Sequence, residues 1–242
     1  MTLRTRLQRF LHRTAGYDIR KFDVFNSPMV RRTTLLRHHG VGLVLDVGAH
    51  VGDYARDLRY YGYRGRIVSF EPLPEEFRSL DARAQRDPAW EAVPVALGAE
   101  RGSATLHVGE FRECSSLLDV LPAYVAVDPS TRATSEVTVP VEPLDALFGR
   151  YHRPGEPVFL KADVQGYERQ VIEGARESLP HIVGMQLELS LERLYEGGAV
   201  FLELLGMLDD LGFALMSIEP TSADGVSGKQ VQVDGVFFRR GG

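Results

Sequence analysis

The stretch Val44-Leu45-Asp46-Val47-Gly48-Ala49-His50-Val51-Gly52 decides the fold. With Leu43 it opens as an apolar run, then turns at small residues. It continues into the helix-compatible Asp53-Tyr54-Ala55-Arg56-Asp57-Leu58. Strand, Gly-rich turn and helix, in that order, open a nucleotide-type binding fold. Gly48 and Gly52 are expected to remove a Cβ where a ligand lies close to the backbone. The helix start is expected to leave N–H groups for an anion.

The spacing selects among ligands. Asp46-x-Gly48-x-x-x-Gly52 does not fit the Gly-x-Gly-x-x-Gly of dinucleotide sites. It resembles motif I of the S-adenosylmethionine (SAM) methyltransferases, Asp/Glu-x-Gly-x-Gly-x-Gly, with His50 at the middle glycine. His is among the non-Gly residues enriched at positive φ, so it is tolerated there. The plain alternative is a Gly-bearing turn in an unrelated α/β domain. A second landmark weighs against it: Arg66-Ile67-Val68-Ser69-Phe70-Glu71-Pro72 reads as a buried strand ending in an acid. A carboxylate at that place binds a ribose diol and repels a 2′-phosphate, although a strand-end acid can also be merely solvated. Trp90 to Gly98 reads as the third strand and its turn, which makes Ala96 and Leu97 candidate neighbours of adenine.

Downstream, Val158-Phe159-Leu160 reads as another buried strand. Its carboxyl end presents Lys161, Asp163 and Gln165, followed by a helix over 167–177. Ligands of open α/β sheets collect outside such strand ends. Gly184 to Ser190 is the next strand, with Glu188 at the same edge. Gly102 to Val108 alternates like an edge strand, and Glu136 to Val141 alternates again. The polar, turn-rich segment 112–134 between them suits a lid or substrate loop. Leu191 to Gly198 is a loop bearing Tyr195. Phe201 to Leu211 is an amphipathic helix, and Phe213 to Ile218 a sixth strand. Asp234-Gly235, between Gln230–Val233 and Val236–Arg239, signals a hairpin.

Composition narrows the class. The chain has 242 residues, 44 % of them hydrophobic and 25 % charged, which suits one globular α/β domain with appendages. A net charge of −5 offers nucleic acid no global basic field. The lone Cys114 rules out an intramolecular disulfide framework and fits a reducing cytoplasm. Neither a membrane-length apolar run nor a secretory signal is visible. Residues 1–40 form a locally basic arm, with Leu3, Leu7, Phe10 and Leu11 at helical spacing. That arm reads as a cap, a substrate lid, or a contact for an anionic acceptor or membrane surface.

Taken together, several strings resemble the FkbM family of SAM-dependent methyltransferases. They are Leu45 to Gly52, Ser69-Phe70-Glu71-Pro72, Leu160-Lys161-Ala162-Asp163-Val164-Gln165-Gly166-Tyr167-Glu168, Val171 to Ala175, Gln186 to Ser190 and Asp234-Gly235-Val236-Phe237. The departure is His50, where the family usually has Asn. The resemblance implies a single Rossmann-like class I domain over 41–242, with a mostly parallel seven-stranded sheet and an antiparallel last strand. The helical arm 1–40 precedes it. SAM is the implied cofactor, with Asp46, Gly48, Ala49, His50, Gly52, Glu71, Pro72, Ala96, Leu97 and Asp163 as its candidate contacts. The implied reaction is methyl transfer to a hydroxyl of a sugar, glycoside or polyketide-type natural product.

Such an alcohol needs a base. Asp163 is the first candidate, with Glu188, His50 and His107 behind it. Asp163 can instead orient the SAM amino group. Mg²⁺ held by Asp163 and Glu188 is a less favoured route, because no dense ligand cluster is visible. Two readings compete: a non-catalytic SAM- or nucleotide-binding partner, and an NAD-linked oxidoreductase. The first would not be expected to keep the Lys161–Glu168 string, and the second lacks its fingerprint. Acceptor choice is expected from 1–40, 110–135 and 191–200. The oligomeric state is not legible.

Overall fold

The computed structural model describes residues 3–17 and 20–241. Seven strands form one sheet in the order β3-β2-β1-β7-β8-β10-β9. These are β1 (Leu43–Val47), β2 (Arg66–Phe70), β3 (Trp90–Val93), β7 (Val158–Ala162), β8 (Ile182–Ser190), β9 (Phe213–Ala223) and β10 (Gln230–Arg239). The first five neighbours run parallel, and β10 runs antiparallel to both β8 and β9. This is the mostly parallel sheet with an antiparallel last strand that the sequence implies.

Strands β1 and β7 are buried along their whole length, as central strands covered by helices on both faces must be. Alternation then sorts the residues. Leu43, Leu45, Val47, Val158 and Leu160 pack with helices α6 (Leu144–Tyr151), α7 (Glu168–Glu173) and α8 (Phe201–Asp210). Val44 and Phe159 pack with α2 (Pro28–His38), α3 (Asp53–Tyr60) and α4 (Pro74–Ala84). Helix α2 therefore belongs to the covered core, with Leu36 fully buried. Helix α1 (Leu3–Ala15) precedes it; the side chains of Leu3, Leu7 and Leu11 lie outside the described residues.

Three expectations are corrected. The region 96–142 does not extend the main sheet. It forms a separate three-stranded sheet, β4 (Ala96–Leu97), β6 (Ala133–Glu142) and β5 (Gly102–Gly109), in the order β4-β6-β5. Strand three therefore ends at Val93, and Ala96 and Leu97 belong to the smaller sheet. Asp234-Gly235 is not a hairpin turn, because β10 runs through it unbroken, pairing Asp234 with Glu188 and with Glu219. A Cβ on Gly235 would lie 2.5 Å from Leu189 Cδ1, so this glycine serves close packing. The turn falls instead at 224–229, where Asp224 accepts from the Val226 N–H at 2.9 Å. Helix α7 stops at Glu173 rather than Glu177. Gly174 caps the helix, and the Gly98 carbonyl lies 1.9 Å from where its Cβ would sit, so only a glycine fits there.

Gly48 combines φ of 71° with a virtual Cβ 1.9 Å from the Asp163 carbonyl oxygen. Gly48→Ala is expected to lower stability by about 3 kcal/mol or more, through left-handed strain and overlap together. Urea unfolding of the ligand-free chain measures this.

Candidate active site

The site forms where β1, β2, β7 and β8 end. After β1 the chain turns through Gly48, His50 and Gly52, all at positive φ. The N–H groups of Gly48 and Ala49 both donate to the Phe70 carbonyl at 3.1 Å, tying this turn to the end of β2. Glu71 completes the tie. One of its carboxylate oxygens accepts from the His50 N–H and the other from the Leu73 N–H, each at 2.8 Å. Burial pushes the Glu71 carboxyl up to about 7, against the pull of those two N–H groups.

Beneath the turn runs a buried polar belt. Ser69, Asp46, Lys161 and Gln186 occupy one register line across β2, β1, β7 and β8. Their side chains share the sheet face that carries α2 and α3. The Trp90 indole donates to Ser69 Oγ at 3.0 Å, and Ser69 donates to Asp46 Oδ2 at 3.0 Å. Lys161 Nζ lies 3.2 Å from Asp46 Oδ1 and donates to the Gly48 carbonyl at 3.1 Å. Burial lowers the proton affinity of Lys161, but the carboxylates of Asp46 and Asp163 outweigh it and the shift is upward. Tyr54 on α3 donates to Gln186 Oε1 at 3.1 Å, and Gln186 donates to Asp234 Oδ2 at 2.8 Å. Arg32, from α2, ends the belt on Asp234 at 3.7 Å and on Glu219.

Two neighbouring cavities with shared lining residues open above the belt. The first, about 580 Å³, is a mainly apolar slot walled by Phe70, Val95, Leu97, Leu106, Val164 and Tyr167, with Glu71 on its side. The second, about 1200 Å³, is a polar basin lined by Arg32, Lys161, Gln186, Glu188, Gln232 and Asp234 among others. Gly48, His50, Glu113 and Asp163 line both, so they mark the junction.

Glu188 organises the basin. Gln165 and Gln232 both donate to its Oε2, at 2.9 and 2.7 Å. Neither amide donates to Oε1. Tyr195 fixes Gln165 by donating to its Oε1 at 2.6 Å, and Tyr124 fixes Gln232 in the same way at 2.7 Å. Burial, with the carboxylates of Asp163, Glu168 and Asp234 nearby, raises Glu188 well above the usual carboxylate range. Burial also pushes Asp234 up to about 6, with Asp163 adding to it and Arg32 opposing. The tight turn 163–167, with Gln165 at φ 54°, is held by Glu168, which accepts from the Val164 and Gly166 N–H groups at 3.1 and 3.2 Å.

Of the candidate residues, Gly48, His50 and Asp163 line both cavities. Glu71, Pro72, Ala96 and Leu97 line the slot, and Ala49 and Glu188 line the basin. Asp46 and Gly52 line neither. Asp46 is fully buried under Lys161, and Gly52 gives its Cβ space to Trp90 and Leu80, at 2.7 and 2.8 Å. Gly48, by contrast, lines both cavities, with the Asp163 carbonyl where its Cβ would lie. His107 also faces neither cavity; its ring lies 3.4 Å from both Asp119 and Glu136 on the small sheet. The segment 112–134 borders both cavities, through Arg112 and Ser115 on the slot and Tyr124 and Asp128 on the basin. Arg32, Tyr54, Gln186 and Gln232 escaped the sequence reading. Arg32 stood out only as one of the basic residues of the arm.

The family model described as the methyltransferase FkbM domain matches residues 46–215. The chain belongs to the FkbM methyltransferase family. Its members are SAM-dependent enzymes, and the chain is a methyltransferase. No curated protein matches the chain. Among solved structures, "A Pericyclic Reaction enzyme" is similar at 12 % identity and TM-score 0.45, covering 98 % of this chain and 53 % of that one. An rRNA methylase from Streptococcus thermophilus is similar at 8 % identity and TM-score 0.46, covering 88 % and 97 %. A TehB-like SAM-dependent methyltransferase from Corynebacterium glutamicum is similar at 13 % and 0.42, covering 98 % and 97 %. Among the described residues of this FkbM chain, no group of three or more His, Cys, Asp or Glu side chains is arranged to hold a metal ion. No described helix is long and apolar enough to cross a membrane.

Removing Lys161 would strand the Asp46 charge in the core. Lys161→Met is expected to cost about 3–5 kcal/mol in urea unfolding, and Asp46→Asn added to it should restore part of that loss.

Proposed function

We propose that the chain is an O-methyltransferase acting on a hydroxyl of a sugar, glycoside or polyketide-type natural product. One observation carries this reading: the apolar slot opens into a basin lined by side-chain amides and carboxylates. A polyhydroxylated acceptor needs many hydrogen-bond partners, and such a wall offers them. We propose residues 41–242 as the transfer domain, with 1–40 as an arm that lends Arg32 to the basin. The lone Cys114 supports a reducing, cytoplasmic setting.

The slot residues fit SAM. Val95, Ala96, Leu97 and Leu106 suit the flat, apolar adenine. Glu71 suits the ribose diol, since each of its oxygens accepts one N–H and keeps a lone pair free. Pro72, Ala49 and His50 would complete the contacts. Asp163, at the junction, would face the cationic methionine end. When bound, SAM supplies a methyl group on a sulfonium centre.

The protein's own residues must then hold the acceptor hydroxyl in line and take its proton. We assign that proton to Glu188 Oε1. Both amides hold Oε2, so Oε1 is the oxygen that remains to work. The raised proton affinity of Glu188 makes it a stronger base than a solvated carboxylate. Asp163, 40 % exposed and bonded to Gln165 at 3.0 Å, would instead orient cofactor and acceptor at the junction. His50, whose Nδ1 lies 3.3 Å from Glu113 Oε1, would hold the 110–118 segment against the slot.

Two measurements test these roles. With a carboxyl near 7, Glu71 is protonated below that pH and ionised above it. Only the ionised form accepts from both ribose hydroxyls. Calorimetric affinity for S-adenosylhomocysteine should thus rise about tenfold from pH 6 to 8, and Glu71→Gln should bind weakly with a flat profile. Glu188→Gln should lower kcat about 10²–10⁴-fold toward an acceptor with a free hydroxyl while keeping the affinity for S-adenosylhomocysteine. Wild-type turnover in that variant would remove Glu188 from the reaction.

A further inference from the structure

Of the basic side chains of the amino-terminal arm, Arg32 alone lines the basin and none lines the slot. Residues 1–40 hold nine Arg and Lys against two Asp, a net +7. The whole chain is −5, so the remainder is −12. The positive charge is concentrated at one end of an acidic protein.

Helix α1 concentrates it further. Over Leu3–Ala15 it contains Arg4, Arg6, Arg9 and Arg13 and no acid. Leu3, Leu7, Phe10 and Leu11 recur at the three- and four-residue spacing of one helix face. An amphipathic helix with low net hydrophobicity, Arg on its polar side and Leu and Phe on the other, lies in a membrane–water interface. Phe10 is 61 % exposed, so at this position the apolar row is not taken up by the core.

The chain after α1 continues the pattern. Phe22, Phe25 and Tyr60 are 67 %, 83 % and 80 % exposed. Phe22 stacks on Tyr61 at 5.6 Å, and Tyr60 meets Tyr61 edge-on at 5.1 Å. An aromatic cluster therefore joins the arm to the end of α3, beside Lys21. Aromatic rings and basic side chains together match the headgroup layer of an anionic bilayer.

The arm is mechanically tied to the basin. Arg31 donates from Nε to the Val24 carbonyl and from Nη2 to the Phe25 carbonyl, both at 3.1 Å, and from Nη1 to Ser217 Oγ at 3.0 Å. The next residue, Arg32, lines the basin. The Phe25 end of the arm is therefore held a few residues from the acceptor cavity.

We propose that helix α1 and residues 20–25, with the Phe22–Tyr60–Tyr61 cluster, dock on an anionic lipid bilayer. A nucleic acid would match the charge but not the row of Leu and Phe. The proposal concerns binding alone, so it stands or falls independently of the transfer reaction.

Vesicle co-sedimentation of the full chain tests it. The probes are vesicles of phosphatidylcholine alone and of phosphatidylcholine with one-third phosphatidylglycerol. The chain should partition onto the anionic vesicles, weakly or not at all onto the neutral ones, and less as salt rises. Each Arg near such a surface contributes roughly fivefold. Arg4→Glu/Arg9→Glu should therefore lose at least about tenfold in partitioning. Leu7→Ser/Phe10→Ser should also lose binding while keeping all the charge, which separates insertion from simple attraction. Both variants should bind S-adenosylhomocysteine as the wild type does, which reports an intact fold. Absent or equal partitioning on the two vesicle types overturns the proposal. So does unchanged binding in both variants, tighter binding to polyuridylate RNA than to the vesicles, or self-association through α1 in place of vesicle binding.

Discussion

Two opposite charges sit between neighbouring strands in the centre of the sheet, Asp46 on β1 and Lys161 on β7, paired across one register position and 3.2 Å apart. Burying such a pair gains little stability over an apolar pair of the same size. Its value here is geometric. Lys161 also reaches the Val47 and Gly48 carbonyls, at 3.4 and 3.1 Å, where β1 gives way to the turn. A strand that ends in a sharp turn leaves carbonyls that no ladder can satisfy. The Val47 carbonyl also accepts from the Asp163 N–H at 3.2 Å; the ammonium serves the Gly48 carbonyl and fixes the turn relative to β7, and Asp46 holds the ammonium. The slot wall is thereby set by a group that does not line the slot.

The same logic extends outward along the belt. Charge is packed densely around the basin: Glu188 and Asp234, with Glu71 and Glu168 close by, all have their proton affinity raised by burial. Arg32 and Lys161 do not neutralise them freely, since each already has a buried carboxylate partner behind the wall. The cavity is consequently short of positive charge. A cationic cofactor is the natural complement to it, as its charge would favour ionised carboxylates around the junction. Site and cofactor class agree on electrostatic grounds as well as on motif.

Sequence reading reached the sheet because β1, β7 and β8 are apolar runs bounded by polar strand ends, a pattern set by burial alone. It reached Glu71, Asp163 and Glu188 for the same reason, since each directly follows or closes such a run. It failed at Asp234-Gly235, where a turn signal lies within a strand. The local preference of Asp-Gly yields there to pairing on both sides and to Leu189, which occupies the space a side chain would need. Spacing could not say that Trp90 and Leu80 occupy the space beside Gly52. It missed Arg32, Gln186 and Gln232, which carry no local signal. They matter only because strand register and helix packing bring α2, β8 and β10 to one basin.

His50 separates what a motif position must do from what it is free to vary. Its φ of 49° and its N–H bond to Glu71 belong to the backbone. Any residue that tolerates the left-handed region can supply them, and Asn and His both do. The imidazole is therefore released from the turn's requirements, and it turns toward Glu113 on the segment that borders both cavities. A histidine in place of the family's usual asparagine thus leaves the tie between β1 and β2 intact. What it changes is the contact between the turn and the segment above it. The departure bears on the contact with Glu113, not on the backbone tie to Glu71.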